Sequence, residues 1–135
     1  MSDSKKARDP AQEFFVHHAG EPPFEGGLRA FFEYRDLGAA AVTDGRIQMH
    51  VIRAKEGEGA SGGWHYHELD FQMVYVLRGW VKFEYEGVGE VLLEKDSCVY
   101  QPSGIVHREI EHSDDLEMIE ICAPGEFATV PVDRG

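Results

Sequence analysis

Three scarcities narrow the field before any motif is considered. The 135-residue chain has only two cysteines, Cys98 and Cys122, which excludes a disulfide framework. They do not stand in CxxC spacing, so neither a zinc ribbon nor a redox pair is expected. Both lie in apolar, strand-like runs and read as small buried hydrophobes. No apolar run approaches the roughly 18 residues a membrane span needs. The opening MSDSKKARDPAQE holds no apolar stretch that a signal peptidase system would read. A cytoplasmic protein without membrane contact is the expectation. Positive charge is also short: 13 Lys and Arg stand against 25 Asp and Glu, for a net charge of −12. Such a surface repels phosphate backbones, so nucleic acid is not an expected partner. The acidic residues are spread along the chain, as on a solubilising surface rather than an interaction tail. Internal repeats and low-complexity segments are absent. Helical periodicity is confined to residues 7–18, where Phe14, Phe15 and Val16 offer a weak apolar face.

What is present is β structure. The length suits one domain, with residues 1–13 as a flexible tail and 14–135 as a single folded unit. Apolar segments arrive every 8–12 residues: 30–35, 46–54, 63–67, 70–78, 80–86, 90–94, 97–101, 105–111 and 116–122. Most are rich in Val, Ile, Phe and Tyr. Several alternate with period two, as Val81, Phe83 and Tyr85 do against Lys82, Glu84 and Glu86. Breakers separate them, among them Gly57, Gly59, Gly62, Gly79, Gly87, Lys95-Asp96 and Pro102 with Gly104. About nine short strands in one domain predict an all-β jelly-roll barrel, which closes its edges.

Seven histidines are present. His17, His18 and His112 fall in loops or strand ends and read as surface groups. His50 lies in a strand whose two faces both carry apolar residues, so its direction is open. His65 and His67 stand two apart in WHYH. Residues i and i+2 of a strand point to the same side of the sheet. Two imidazoles so placed can reach one ion, although a hydrogen-bonded histidine pair satisfies the same spacing.

Their surroundings are more specific. Gly59 precedes His65 by six positions, Gln72 follows His67 by five, and Gly79 ends the strand after Gln72. Farther on come Asp96, Pro102-Ser103-Gly104, His107 and Glu111. This resembles the two motifs of the cupin superfamily, over residues 59–79 and 96–111, in the order and with the short separation of small bacterial members. The resemblance implies a cupin barrel with an N-terminal extension. It also implies a divalent metal held by His65, His67 and His107, with the family's glutamate ligand position occupied by Gln72. Zinc, nickel, iron, manganese and cobalt all suit imidazole and amide ligands.

Three positions depart from the motifs. Asp96 replaces a turn glycine, a place where Asp tolerates left-handed backbone. Glu111 replaces a terminal asparagine. Gln72 is neutral where the family has a charge, so three imidazoles and an amide would leave the ion its whole double charge. A stronger Lewis acid, harder to oxidise, follows. That favours isomerase- or lyase-type activation of a small polar molecule, such as a sugar acid, a diketone or another carbonyl compound, or a phenolic acid, over iron-dependent dioxygenation. A barrel that binds a small ligand without catalysis is the other alternative. Alternation from His107 places Glu109 and Glu111 on the ligand face, with Glu109 as the candidate general acid or base. The same carboxylate could instead orient a ligand histidine. Alternation from Gln72 turns Val74 and Val76 inward, and Phe71, Met73, Tyr75 and Leu77 outward. Arg53, Tyr100 and Arg108 are candidates to meet an anionic substrate. Phe14, Phe15, Phe31 and Phe32 exceed what one small barrel needs to cover, and a homodimer is expected.

Overall fold

The structure is a computed structural model that describes residues 7, 13–26, 31–55 and 63–134. Gly57, Gly59 and Gly62 of the sequence reading, and most of the expected tail, lie outside the described residues. In chain order the elements are β1 (Glu25–Gly26), β2 (Phe32–Asp36), α1 (Ala39–Val42), β3 (Gln48–Ala54), β4 (His65–Glu68), β5 (Phe71–Arg78), β6 (Trp80–Tyr85), β7 (Gly89–Glu94), β8 (Cys98–Tyr100), β9 (His107–His112), β10 (Glu117–Ala123) and β11 (Ala128–Pro131). Each of the nine expected strands is found, as β2 to β10. Of the helix sought within 7–18, the described residues 13–18 are irregular, with Phe14 85% exposed, and residues 8–12 lie outside the described residues. The helix that does form, α1, is one turn at Ala39–Val42, too short to leave a periodic signal. No described helix is long and apolar enough to cross a membrane.

The strands form two antiparallel sheets, ordered β1-β2-β3-β10-β5-β8 and β11-β4-β9-β6-β7, that enclose one core as a jelly roll. Alternation decides what each strand contributes. On β5, Gln72, Val74 and Val76 are buried, while Phe71 and Tyr75 are exposed. On β10, Met118 and Cys122 are buried and Glu120 lines the interior with them. Register sets these rows level, Cys122 opposite Gln72, Glu120 opposite Val74 and His50, and Met118 opposite Val76 and Ile52. The interior therefore grades from polar to apolar along the barrel. The apolar end is sealed by Val76, Val81 and Leu116, none more than 1% exposed. Each such aliphatic side chain contributes roughly 1.5–3 kcal/mol by leaving water.

One irregularity redirects a whole strand end. In the pairing of β6 with β9, Lys82 stands opposite Glu111 but Phe83 opposite Glu109, so Ile110 is an extra residue. This bulge resets the alternation. Glu109 stays inside, Glu111 turns outward and becomes exposed, and His112 turns inward until its side chain is 2% exposed. Glu111 on the ligand face and His112 on the surface are thereby corrected. Cys98 is corrected too, since it is exposed while Cys122 is buried. Phe32 is 5% exposed, and both Phe31 and Phe32 pack on the His112 ring, at centroid distances of 5.9 and 5.3 Å. They serve the interior rather than an outer contact.

Among the turns with left-handed backbone, two bear on the sequence reading. Asp96 has φ +70°, as expected for a residue standing in for glycine. Gly79, between β5 and β6, has φ +71°, and a β-carbon there would lie 2.2 Å from Ser113 Oγ and 2.6 Å from Asp115 Oδ1. Replacement Gly79→Ala should cost more than about 2 kcal/mol, the backbone penalty being compounded by that overlap. The urea midpoint should fall with the slope unchanged. A thiol reagent should label one cysteine in the native protein and the second only after unfolding. Burial, with the nearby Glu120 carboxylate, also pushes the Cys122 thiol above its usual range.

Candidate metal centre

His65 and His67 come from β4 and His107 from β9, where His107 stands directly opposite His65 in the ladder. All three are buried, and one ring nitrogen from each lies within 4.8 Å of the others. Ring centroids are 4.4 to 5.1 Å apart.

The outer ring nitrogens are tied down. His65 Nδ1 donates to the Gly63 carbonyl at 2.7 Å and His107 Nδ1 to the Ile105 carbonyl at 2.9 Å. A carbonyl can only accept, so in each neutral ring Nδ1 carries the proton and Nε2 the lone pair. His67 Nδ1 meets the Thr129 hydroxyl at 2.9 Å across the β4–β11 ladder. Such contacts are the usual way a metal-binding imidazole is held in one tautomer and one orientation. The donor set therefore fits a first-row divalent ion. Tyr85 stacks on His107 at 5.6 Å and Phe127 meets His67 edge-on at 5.3 Å, fixing the rings from behind.

Gln72 is 3% exposed and lines the same cavity. Its amide nitrogen donates to Glu120 Oε2 at 2.7 Å. Only the NH2 end can face a carboxylate, so this bond fixes the amide and makes its oxygen the end left to turn toward an ion. Glu120 Oε1 accepts from His50 Nε2, also at 2.7 Å. Burial alone would raise the Glu120 carboxyl, but the hydrogen bonds and charge of His50, the Gln72 amide and nearby His67 outweigh it and hold the group below the ordinary carboxylate range. Glu120 was not singled out in the sequence, although an acidic residue on the Met118–Cys122 face of a strand is a readable signal. Its presence alters the reading of Gln72. The negative charge missing from the ligand position sits one hydrogen bond behind it.

Glu109 is 6% exposed and lines the cavity, where its Oε2 accepts from His112 Nδ1 at 2.7 Å. The three groups proposed for anionic substrates point elsewhere. Arg53 pairs with Glu33 at 3.0 Å and covers Phe24, Arg108 pairs with Glu84 at 2.7 Å and covers Trp64, and Tyr100 is half exposed beside Phe71. None of them lines the cavity.

The Cupin domain family model matches residues 42–124. No curated protein matches the chain in sequence. Solved structures do. KdgF from Halomonas sp. has a TM-score of 0.62 at 18% identity, covering 83% of this chain and 94% of that one. The polyketide cyclase RemF from Streptomyces resistomycificus reaches 0.73 at 15% identity, covering 91% and 88%. The DMSP lyase DddQ from Ruegeria pomeroyi DSS-3 reaches 0.53 at 19% identity, covering 65% of this chain but 44% of that one. At these identities the likeness is one of fold.

Glu120 supports two buried groups at once. Replacement Glu120→Ala should therefore destabilise the protein by about 2–4 kcal/mol, because His50 and Gln72 lose their shared partner. Chemical denaturation measures the loss. Removing His50 as well should cost much less than a second full increment.

Proposed function

This chain belongs to the cupin domain family, and on that premise we propose that it is a metal-dependent enzyme of isomerase or lyase type. Its reading as a catalyst rests on the cavity around the three histidines. His65, His67 and His107 hold one divalent transition metal, with the Gln72 oxygen as the fourth protein ligand. When bound, the ion acts as a Lewis acid on a carbonyl or hydroxyl oxygen of a small molecule, a sugar acid or another carbonyl compound. The observation that carries this reading is the tethering of the histidine rings, two of them to carbonyls that fix which nitrogen bears the lone pair. Glu109 moves a proton at the substrate, and His112 keeps its carboxylate in place. The neutral Gln72 favours this chemistry over dioxygenation, although Glu120 behind it softens the difference.

Protein purified without a tag should carry or take up about one first-row metal ion per chain. His67→Ala should abolish uptake, and absence of any uptake by the native protein would sink the proposal. Gln72 has its own test. Gln72→Glu alone would set two carboxylates against each other where Gln72 Nε2 and Glu120 now stand 2.7 Å apart, so it should gain little. The exchange Gln72→Glu with Glu120→Gln keeps the hydrogen bond in reverse and moves the charge onto the ion. Metal affinity should then rise by about tenfold or more. If the exchange leaves affinity unchanged, Gln72 is not a ligand.

We also propose a homodimer. Phe71, Tyr75 and Tyr100 form an exposed aromatic patch on β5 and β8, and Phe14, Phe15 and Val16 are exposed as well. Light scattering at micromolar concentration should return twice the chain mass.

A further inference from the structure

The cavity discriminates between the substrates just named. Its volume is about 340 Å³, at the small end for ligand sites. One side carries the histidine cluster with Gln72, Glu109 and Glu120. Five aromatic side chains, Phe31, Phe32, Tyr34, Phe83 and Phe127, also line it, Phe127 beside His67. Among the described lining residues there is no Lys or Arg. Arg35, the nearest in sequence to the Phe31–Tyr34 wall, is turned outward onto the carbonyls of His18 and Glu21.

A carboxylate entering this space would meet two buried carboxylates and, among the described lining residues, neither Lys nor Arg. At low dielectric, like charges that close repel strongly, and the ion would be its sole attraction. A polyhydroxylated ring does little better. Each of its hydroxyls needs a partner once out of water. Several of the cavity's hydrogen-bonding side chains are already engaged within the protein: Glu109 with His112, Glu120 with His50 and Gln72, and the Gln101 oxygen with Tyr85. A flat, mostly apolar molecule makes no such demands. It gains from the aromatic wall and needs only an oxygen or two directed at the ion.

We infer that the substrate is an uncharged aromatic or similarly planar carbonyl compound with a neighbouring hydroxyl, and not a sugar acid. The inference rests on the proposed metal centre for the oxygen end, and on the aromatic wall alone for the body.

The test uses the full chain loaded with cobalt(II), whose visible bands report ligands entering its coordination sphere. Three probes are titrated: 2′-hydroxyacetophenone, which is neutral and aromatic, benzoate, which is aromatic and anionic, and galacturonate. The neutral ketone should perturb the bands at a concentration at least about tenfold lower than either anion. Phe31→Ala should weaken the ketone by about two- to tenfold, as expected for one lost aromatic contact, and leave cobalt stoichiometry and galacturonate unchanged. Tighter binding of galacturonate than of the ketone overturns the inference. Equal binding of all three does the same. If the protein takes up no cobalt, the metal reading has failed, and the cavity is then tested without it. Acetophenone should still bind the metal-free protein by calorimetry, more weakly in Phe31→Ala. No detectable binding there overturns the inference about the cavity as well.

Discussion

The site depends on one buried carboxylate being satisfied from both sides. Glu120 projects between the sheets at a level where its neighbours across the ladder are His50 and Val74. An uncompensated charge there would cost several kcal/mol, a large share of the roughly 5–15 kcal/mol by which a domain is stable. It is tolerated because His50 Nε2 takes one oxygen and Gln72 Nε2 the other. That arrangement joins β3, β10 and β5 at their polar level and dictates which way the Gln72 amide faces. A glutamate at residue 72 would need a proton shared with Glu120. The neutral amide is thus a structural requirement of its neighbour.

The barrel was largely legible because its signals are local. Period-two alternation and turn residues located β2 to β10, and the resemblance to the two cupin motifs joined His107 to the same-face pair His65 and His67. What escaped depends on register, which no single strand reveals. His50 could face either way until β10 set Glu120 against it. The bulge at Ile110 turns Glu111 outward and His112 inward, and neither straight alternation from His107 nor the position of His112 at a strand end reveals it. β11 left little trace, since Ala-Thr-Val-Pro is short, lacks clear alternation and ends in a residue that cannot donate to a ladder. Over residues 13–18 the expected helix fails for a different reason. Phe14 and Val16 are largely exposed and Phe15 only partly covered, against Gly38, and a short helix without tertiary support is marginal.

The gradient along the barrel reconciles stability with a cavity. Aliphatic packing around Val76, Val81 and Leu116 closes one end. The polar level can therefore remain open without leaving the fold short of buried apolar surface. Tyr85 sits at the boundary. Burial raises its phenol well above the ordinary range, so it stays neutral, donating to Gln101 while its ring supports His107.

The contact between His67 and Thr129 spans 62 residues. During synthesis His65 and His67 leave the ribosome long before the strand that orients His67 exists. At about 5–20 residues per second, several seconds separate them. Until β11 exists, Thr129 cannot hold the His67 ring, so the alignment of the three imidazoles is a property of the finished barrel and not of the β4 segment that carries two of them.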